Sequence, residues 1–336
     1  MYIEGKTDIG SVREENQDAL GHVRLDGGVF LAVADGMGGY AGGSLAAKLA
    51  IESLVGYVES HWKKTQDPMA LLRNAIQEAN RVVRERASVE EKFHDMGTTC
   101  VCCLSTDTEY YVAHVGDSRA YLLRDEVFSL LTEDHTVIQE LIKQGRVKPL
   151  EASYHPSAGI LMRCLGQIDD VEPDVSAPSE LQEGDRILLC SDGLTGMVYE
   201  DEIAQTLTGQ DLPATLNALI RMANEAGGFD NITVSVLQAG DFPEEASHWD
   251  VLVDSPEGLA LMEAEGRLPA DIGQQPNLRH TTVLKAVSDE EVEEAGRDVS
   301  RNVEWNPRKD RLVHLLLAGS LIAILAAFLT YWFMKH

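Results

Sequence analysis

The most constraining feature of this sequence is a set of apolar runs that end abruptly in aspartate. Three such runs end at Asp35, Asp117 and Asp192, each beside a glycine, and two more aspartates, Asp18 and Asp230, flank apolar stretches. A single Asp-Gly pair after a strand is usually a turn. Five such positions are better explained by a common site, because the ends of neighbouring strands lie about 5 Å apart and the aspartates there can come together. The sequence therefore predicts a sheet structure with carboxylates gathered at one edge.

Carboxylates gathered in this way predict a divalent metal site. Unpaired carboxylates repel one another and their pKa values rise, and a hard cation removes that cost. Because the set has oxygen ligands and no histidine or cysteine cluster, it favours Mg²⁺ or Mn²⁺ over zinc. A glycine beside a ligand, such as Gly36 beside Asp35, lets a backbone carbonyl or a water of the metal approach closely.

Arg13 lies in a polar stretch among acidic residues and is the candidate for phosphate binding. A guanidinium can hold a phosphate dianion through two parallel hydrogen bonds. The alternative interpretation is an ordinary surface arginine. A two-metal carboxylate site with an arginine indicates phosphoryl hydrolysis, in which a water bridging the metals attacks in line. Arg13 is therefore a predicted catalytic residue.

A competing motif overlaps Asp35. Residues 36–41 read Gly-Met-Gly-Gly-Tyr-Ala and are similar to the glycine-rich turn of dinucleotide-binding proteins. That interpretation is disfavoured, because Asp35 would place a carboxylate near the pyrophosphate and Asp117, Asp192 and Asp230 would have no role. The sequence contains no G-x-x-x-x-G-K-[ST] segment, which excludes a P-loop.

Charge and cysteine content narrow the class of protein. The formal net charge is −27, which argues against nucleic acid as a partner because phosphate backbones require a basic surface. The five cysteines are odd in number and do not supply two C-x-x-C pairs, so neither a disulfide framework nor a zinc ribbon is expected. The thiols are expected to be small core residues in a reducing compartment. Residues 1–10 lack an apolar segment, so no cleaved secretory signal is expected.

Residues 312–333 form an apolar run without a formally charged side chain. As a helix this run would be about 33 Å long, enough to cross a bilayer. The alternative is a buried helix of a soluble domain. Basic residues within 308–311 precede the run, so the positive-inside rule places the preceding chain in the cytoplasm. The sequence predicts a single-pass helix in the inner or plasma membrane, with a short tail at 334–336.

Residues 241–311 are acidic and repeatedly interrupted by proline, which predicts a juxtamembrane linker. Thr281 and Thr282 are either regulatory phosphorylation sites or ordinary residues of a solvated linker, and the second interpretation is preferred.

Residues 1–240 are expected to form one domain. Ser44 and Asp67 are the predicted N-caps of its first two helices. The very short connection after residue 115 favours antiparallel pairing of the strands on either side of it. Strand-like runs lie at 29–34, 98–104, 109–115, 119–123, 186–191 and 231–237, and helical patterns lie at 44–60, 68–87, 134–144, 201–208 and 213–226.

Six short motifs, taken as an ordered set, resemble the metal-dependent type 2C Ser/Thr protein phosphatases (the PPM family), particularly the bacterial members. The resemblance covers roughly residues 1–238. It implies an α+β fold, a four-layer αββα sandwich of two antiparallel β-sheets flanked by helices. The motifs are TDIGSVREENQD at 7–18, VADGMGG at 33–39, GTT at 97–99, VGDSR at 115–119, SDGL at 191–194 and DNIT at 230–233.

The resemblance implies a metal ligand set and two Mn²⁺ or Mg²⁺ ions. Asp35 would be catalytic, together with Arg13, and would bridge both ions, with the Gly36 carbonyl on the first. Asp192 and Asp230 would hold the second ion, and Asp18 would act mostly through metal-bound water.

Other matching residues receive supporting roles from the same resemblance. Asp117 would serve a weaker third ion, Arg13 would clamp the substrate phosphate, and Asn231 would support the metal ligands. Some eukaryotic relatives carry a histidine proton donor where this chain has Met37, so the proton for the leaving group must come from elsewhere.

In bacterial relatives the region corresponding to residues 135–166 forms a flap over the site. His135 and His155 in this region are candidates for a general acid, although a packing role is preferred.

The function implied is hydrolysis of phosphoserine and phosphothreonine on proteins. The partners implied are a Ser/Thr protein kinase and its substrates, with the membrane contacted through the C-terminal helix. Two alternatives remain: a small-molecule phosphatase, and a non-catalytic relative that binds metal and signals. Loss of Asp35, Asp192 or Asp230 would mark the non-catalytic relative, and none of them is lost.

Overall fold

The computed structural model describes residues 1–240 except positions 66 and 210. The predicted linker, membrane helix and tail, together with Thr281 and Thr282, lie outside the described residues. Within the described part of the chain, no helix combines the length and the apolar character needed to span a bilayer.

The strands of the described residues form two sheets, and every pairing is antiparallel, as predicted. The five-stranded sheet has the order β1 (Tyr2–Asp8), β12 (Ile232–Gln238), β11 (Arg186–Cys190), β7 (Arg119–Arg124) and β8 (Val127–Leu130). The seven-stranded sheet has the order β10 (Ser179–Glu180), β6 (Glu109–Val115), β5 (Cys100–Thr106), β3 (Gly28–Met37) and β2 (Asp18–Leu25), with β4 (Gly97–Thr98) paired to β3 and β9 (Asp174–Val175) paired to β6.

Helices cover the outer face of each sheet. The seven-stranded sheet is covered by α1 (Gly39–His61) and α2 (Pro68–Val89), and the five-stranded sheet by α4 (Asp192–Thr195), α5 (Glu200–Leu207) and α6 (Leu212–Glu225). Between β8 and β9 the chain forms α3 (Val137–Lys143). Short 3₁₀ segments occur at Trp62–Lys64, Glu91–Phe93 and Pro149–Tyr154.

A buried cluster fills each of the three spaces between these four layers. On β3, Phe30 and Ala32 pack toward the helices, whereas Leu31 and Val33 pack toward the other sheet. Side chains alternate between the two faces of a strand, and here both faces are covered. The strand therefore reads as a continuous apolar run.

All five cysteines are free and buried, which confirms them as core residues. On β5, Cys102 lies in the cluster under the helices and Cys103 lies in the cluster between the sheets.

The two predicted helix starts had different outcomes. Asp67 caps α2 as predicted, since its side chain accepts from the Ala70 N–H at 3.0 Å. Ser44 is not an N-cap, because α1 begins at Gly39 and its N-cap is Gly38, with φ of 114°. Gly42 and Gly43 belong to the start of α1 and allow it to pack closely against β3, since a Cβ on Gly43 would lie 2.8 Å from the Gly36 backbone.

The short connection after β6 does not form a hairpin. β6 belongs to the seven-stranded sheet and β7 to the five-stranded sheet, so residues 116–118 cross from one sheet to the other. Asp117 lies in this crossing. Connection length could not distinguish a hairpin from a change of sheet, because that choice depends on which distant strands pair with each one. The sequence analysis also missed β1 and β2, in which charged residues and glycine interrupt the apolar pattern.

Candidate active site

Four of the predicted aspartates lie at the same end of the two sheets. Asp18 opens β2 and is the register partner of Asp35 on β3. Asp192 follows β11, and Asp230 precedes β12, the antiparallel neighbour of β11. Because the start of one antiparallel strand lies beside the end of its neighbour, each sheet contributes one pair of aspartates to this end.

The charges of these aspartates act on one another. Burial, followed by the charges of Asp18, Asp192 and Asp230, raises the pKa of Asp35 well above its ordinary value. Burial and the charge of Asp230 raise the pKa of Asp192 to about 6, although a hydrogen bond with Asp35 opposes part of the rise. Shifts of this kind mark carboxylates that are held together without enough positive charge.

Ser191 holds Asp18 in place. The Ser191 hydroxyl donates to Asp18 Oδ2 at 2.7 Å and accepts from the Thr233 N–H at 3.0 Å. Burial nevertheless raises the pKa of Asp18 to about 7, with smaller contributions from the charges of Asp192 and Asp230. The sequence analysis gave Ser191 no role. The available signal was a polar residue at the end of an apolar run, directly before Asp192.

Asp117 is tied to the cluster through the turn between the sheets. Gly116 has φ of 104°, and a Cβ there would lie 2.6 Å from the Thr99 side chain, so the turn requires glycine. Thr99 Oγ1 accepts from the Asp35 N–H at 2.9 Å and is 2.7 Å from the hydroxyl of the serine that follows Asp117. Burial and then the charge of Asp192 raise the pKa of Asp117 well above its ordinary value.

The cluster fits a hard divalent cation. Among the described residues, none hydrogen-bonds the buried Oδ1 of Asp18 or the buried Oδ1 of Asp192. A buried polar atom without a partner is costly, and a metal ion supplies the missing partner for a carboxylate oxygen. Oxygen donors alone match Mn²⁺ and Mg²⁺. Asp18, Asp35, Asp192 and Asp230 are therefore the residues that could hold the ions.

Gly36 lies where the backbone is too crowded for a side chain. A Cβ at this position would lie 2.1 Å from the Gly43 carbonyl oxygen and 2.5 Å from that of Gln17. The Gly36 N–H donates to the Gln17 carbonyl at 3.1 Å. The structure thus shows the close backbone approach expected beside Asp35, and metal binding by the Gly36 carbonyl stays a prediction.

Arg13 lies at the rim of the cluster. Its Nη2 donates to Asp230 Oδ2 at 2.6 Å, and the two side chains are 35% and 30% exposed. The Arg13 charge also opposes the rise in the pKa of Asp192 that burial causes. The guanidinium is therefore close to the carboxylates and open to a ligand from solvent.

Asn231 anchors the segment that carries Arg13. Its Oδ1 accepts from the Gln17 N–H at 2.8 Å, and its Nδ2 donates to the carbonyls of Ile9 and Glu15, both at 2.9 Å. The residue is only 4% exposed. The supporting role of Asn231 toward the metal ligands stays a prediction.

Replacing Asn231 with alanine should lower the free energy of unfolding by about 2–4 kcal/mol, because three partly buried hydrogen bonds are lost and each contributes about 0.5–1.5 kcal/mol. Urea unfolding followed by circular dichroism measures this loss. Asn217→Ala, at an exposed position of α6, should change the value by less than about 0.5 kcal/mol. An equally small loss for Asn231→Ala would contradict the anchoring role.

The sequence matches the family model described as Protein phosphatase 2C over residues 10–233, which is more than half of the chain. This chain belongs to the protein phosphatase 2C family. It is similar to protein phosphatase PhpP of Streptococcus pneumoniae, with 36% identity over 245 residues that cover 72% of this chain and 98% of PhpP. It is also similar to serine/threonine phosphatase stp of Listeria monocytogenes, with 37% identity over 253 residues that cover 71% of this chain and 96% of that protein.

Solved structures of the same family resemble this one. The Mycobacterium tuberculosis serine/threonine phosphatase PstP has a TM-score of 0.64 and 36% identity, covering 70% of this chain and 97% of that one. The catalytic domain of PstP in complex with two manganese ions also has a TM-score of 0.64, with 34% identity, covering 71% of this chain and 98% of that one. This protein phosphatase 2C chain is therefore a metal-dependent serine/threonine protein phosphatase that uses Mn²⁺ or Mg²⁺.

Met37, at the position where some relatives carry a histidine, has a packing role in this phosphatase. It is buried against Leu161 and Cys164. The thioether of Met37 cannot donate a proton, so this contact attaches the 135–166 segment to the end of β3.

The two histidines predicted as candidate acids lie in that segment. His135 Nδ1 accepts from the Gly116 N–H at 3.2 Å, and His155 Nδ1 accepts from the Ser157 N–H at 3.2 Å. The preferred packing role of the two histidines stays a prediction.

Proposed function

We propose that this phosphatase acts at a membrane on phosphoserine and phosphothreonine of proteins and reverses the action of a Ser/Thr protein kinase. The observation that carries its catalytic part is the partly buried cluster of Asp18, Asp35, Asp192 and Asp230 with Arg13 at its open rim. Such a concentration of negative charge accepts a phosphate only with bound cations, and Arg13 supplies a further positive charge at the entrance.

The proposed metal ligands have distinct positions in this arrangement. Asp35 would contact two ions, Asp192 and Asp230 would hold one of them, and Asp18 would act through water. Asp117, in the turn between the sheets, would hold a weaker third ion. When bound, the ions lower the pKa of water and offset negative charge on the phosphate.

The other residues of the site keep these ligands oriented. The Ser191 hydroxyl fixes one oxygen of Asp18. The Asn231 N–H donates to Asp230 Oδ1 at 2.9 Å, so both oxygens of Asp230 have a partner. Ligands whose side chains are already oriented lose less entropy when an ion binds.

Arg13 orients the substrate phosphate in this proposal. A guanidinium has five N–H donors, and the contact with Asp230 uses one of them. The remaining donors can meet two phosphate oxygens in the planar geometry that lysine does not reproduce.

Arg13→Ala should lower kcat/KM for a phosphothreonine peptide by about 10- to 100-fold, since a charge-assisted hydrogen bond is worth about 1.5–3 kcal/mol. Most of the loss should appear as a raised KM. Arg13→Lys should recover part of it, and Arg73→Ala, at an exposed position of α2, should have no effect. An unchanged KM in Arg13→Ala would contradict phosphate binding by this residue.

One assay tests the substrate class. We expect Mn²⁺-dependent hydrolysis of both an aryl phosphate and a phosphothreonine peptide, with Asp192→Ala as the inactive control. Absence of metal-dependent turnover on either substrate would favour a non-catalytic relative. Turnover of the aryl phosphate alone would favour a small-molecule phosphatase.

The membrane part of the proposal is supported by the apolar run at 312–333 and the basic residues within 308–311. It places the catalytic domain in the cytoplasm. A reporter fused after His336 should then be found on the opposite side of the inner or plasma membrane. A cytoplasmic reporter would contradict the single-pass anchor and would leave the catalytic proposal unaffected.

A further inference from the structure

A second group of potential metal ligands lies beside β6, outside the aspartate cluster. His114 on β6 is the register partner of Asp174 on β9. His135, in the segment before α3, stacks on His114 with ring centroids 4.5 Å apart. His135 Nε2 lies 3.3 Å from Asp174 Oδ2. One ligand atom from each of the three residues lies within 4.8 Å of the other two.

The His135 ring has a polar atom that the described structure does not satisfy. Its side chain is only 4% exposed, and among the described residues none makes a hydrogen bond of acceptable geometry to its Nε2. Burial and the neighbouring His114 lower the pKa of His135 to about 4, so the ring is neutral at pH 7. A neutral, buried imidazole whose outer nitrogen is aimed at a carboxylate is a suitable metal ligand.

His114 has the hydrogen bond that commonly orients a metal-binding histidine. Its Nε2 lies 2.8 Å from the Glu133 carbonyl oxygen, which can only accept. The proton is therefore assigned to Nε2, and the Nδ1 lone pair is left to bind an ion. Burial also lowers the pKa of His114, which keeps this ring neutral as well.

We propose that His114, His135 and Asp174 bind a divalent ion of the zinc class. Two imidazoles and one carboxylate suit Zn²⁺ or Co²⁺, whereas the aspartate cluster suits harder ions. Ligand atoms about 2.0–2.1 Å from a tetrahedral zinc are about 3.3 Å apart, which is the separation of His135 Nε2 from Asp174 Oδ2. A cavity of about 270 Å³, lined in part by His114, Glu133 and Asp174, leaves room for a water as the fourth ligand.

The remaining contacts of the three residues determine how the site responds to an ion. Arg163 Nη1 donates to Asp174 Oδ1 at 2.7 Å, which leaves Oδ2 for the metal. The Gly116 N–H donates to His135 Nδ1, so without metal the ring proton resides on Nε2. Binding through Nε2 moves that proton to Nδ1 and breaks the contact with Gly116, which weakens the site. It also links occupancy of the site to the turn that carries Asp117.

Cobalt absorption tests the site in the full chain. The metal-free protein is first saturated with Mg²⁺ and then titrated with Co²⁺, whose visible absorption reports nitrogen ligands in tetrahedral geometry. His114→Gln and Asp174→Asn should each weaken Co²⁺ binding by at least about 10-fold, because even the loss of an outer hydrogen-bond partner of a ligand costs 10- to 100-fold. Both should also lose the visible absorption, and Zn²⁺ calorimetry should show the same loss.

Two control variants and a measurement of thermal unfolding complete this test. His94→Gln, with a side chain that is 72% exposed, should bind Co²⁺ like the wild type. Asp192→Ala should keep the visible absorption, since it changes only the aspartate cluster. Asp174 is half-exposed, so Asp174→Asn should stay folded if His114→Gln does not, and thermal unfolding checks both. Absence of the absorption in the wild type, its retention in both ligand variants, or its loss in Asp192→Ala alone would overturn the proposal.

Discussion

Asp192→Ala should lower kcat/KM for a phosphothreonine peptide by about 10³-fold. Metal ions supply several kcal/mol of transition-state stabilisation, and each 1.36 kcal/mol corresponds to a factor of ten in rate. Asp192 contributes to this through its position, since its buried Oδ1 has no hydrogen-bond partner among the described residues and its charge raises the pKa of Asp18. Its loss should weaken ion binding and misplace the ions that remain. Steady-state kinetics in Mn²⁺ measure the effect.

The fold should survive this change. Removing one carboxylate from a crowded cluster reduces repulsion, so Asp192→Ala should unfold at the same temperature as the metal-free wild type or slightly higher. Asp107→Ala, in an exposed turn between β5 and β6, is the matched control and should keep full activity. Activity of Asp192→Ala within about 10-fold of the wild type would show that this aspartate is not a metal ligand.

Asp35→Asn should stabilise the metal-free protein at pH 7 by roughly 1–3 kcal/mol and have far less effect at pH 4. Burial and the neighbouring carboxylates raise the folded-state pKa of Asp35 well above its ordinary value, that of Asp18 to about 7 and that of Asp192 to about 6. Below pH 4 these carboxyls are protonated, and because the folded state binds the protons more tightly, the raised pKa values stabilise it there. That advantage is lost as the pH rises through the folded-state values, between about pH 4 and pH 7.

The comparison must be made between the two proteins at each pH. The buried His114 and His135 have lowered pKa values and therefore destabilise the folded state as the pH falls below about 6.5, the opposite slope. Subtracting the free energies of unfolding of the wild type and Asp35→Asn, both measured by urea unfolding, cancels the contribution of the two histidines. A stability difference that does not change with pH would contradict the repulsion within the cluster.

Manganese should reverse the order of stability. At a concentration about 100 times its Kd, an ion that binds only the folded state adds about 2.7 kcal/mol. The wild type should gain this amount and Asp35→Asn should gain little. Thermal unfolding with and without Mn²⁺ measures both gains. An equal gain in the two proteins would show that Asp35 does not hold the ions.

Local patterns predicted more of the site than of the surrounding topology. Asp67 before a proline was recognisable as an N-cap because capping depends on a few adjacent residues. Ser44 was wrongly predicted as an N-cap, because α1 already begins at Gly39, with Gly38 as its N-cap. Ser191 was missed, because its hydroxyl acts on Asp18, a residue on another strand of the other sheet.

The amino-acid sequence alone was enough to single out the candidate residues of the site. An apolar run that ends in aspartate is a local property, because a strand buried on both faces must be apolar and a carboxylate at its end stands out. Asp35, Asp117 and Asp192 end such runs, and Asp18 and Asp230 flank apolar stretches. The ordered motifs around all five aspartates indicated the family.

The tertiary structure was needed to show which of these residues meet. It placed the two strands joined by residues 116–118 in different sheets and brought Asp174 to the side of His114. It also joined the segment that carries Arg13 to Asn231, far along the chain. These contacts depend on the pairing of distant strands, and that pairing is decided by the packing of the whole core rather than by any short stretch of residues.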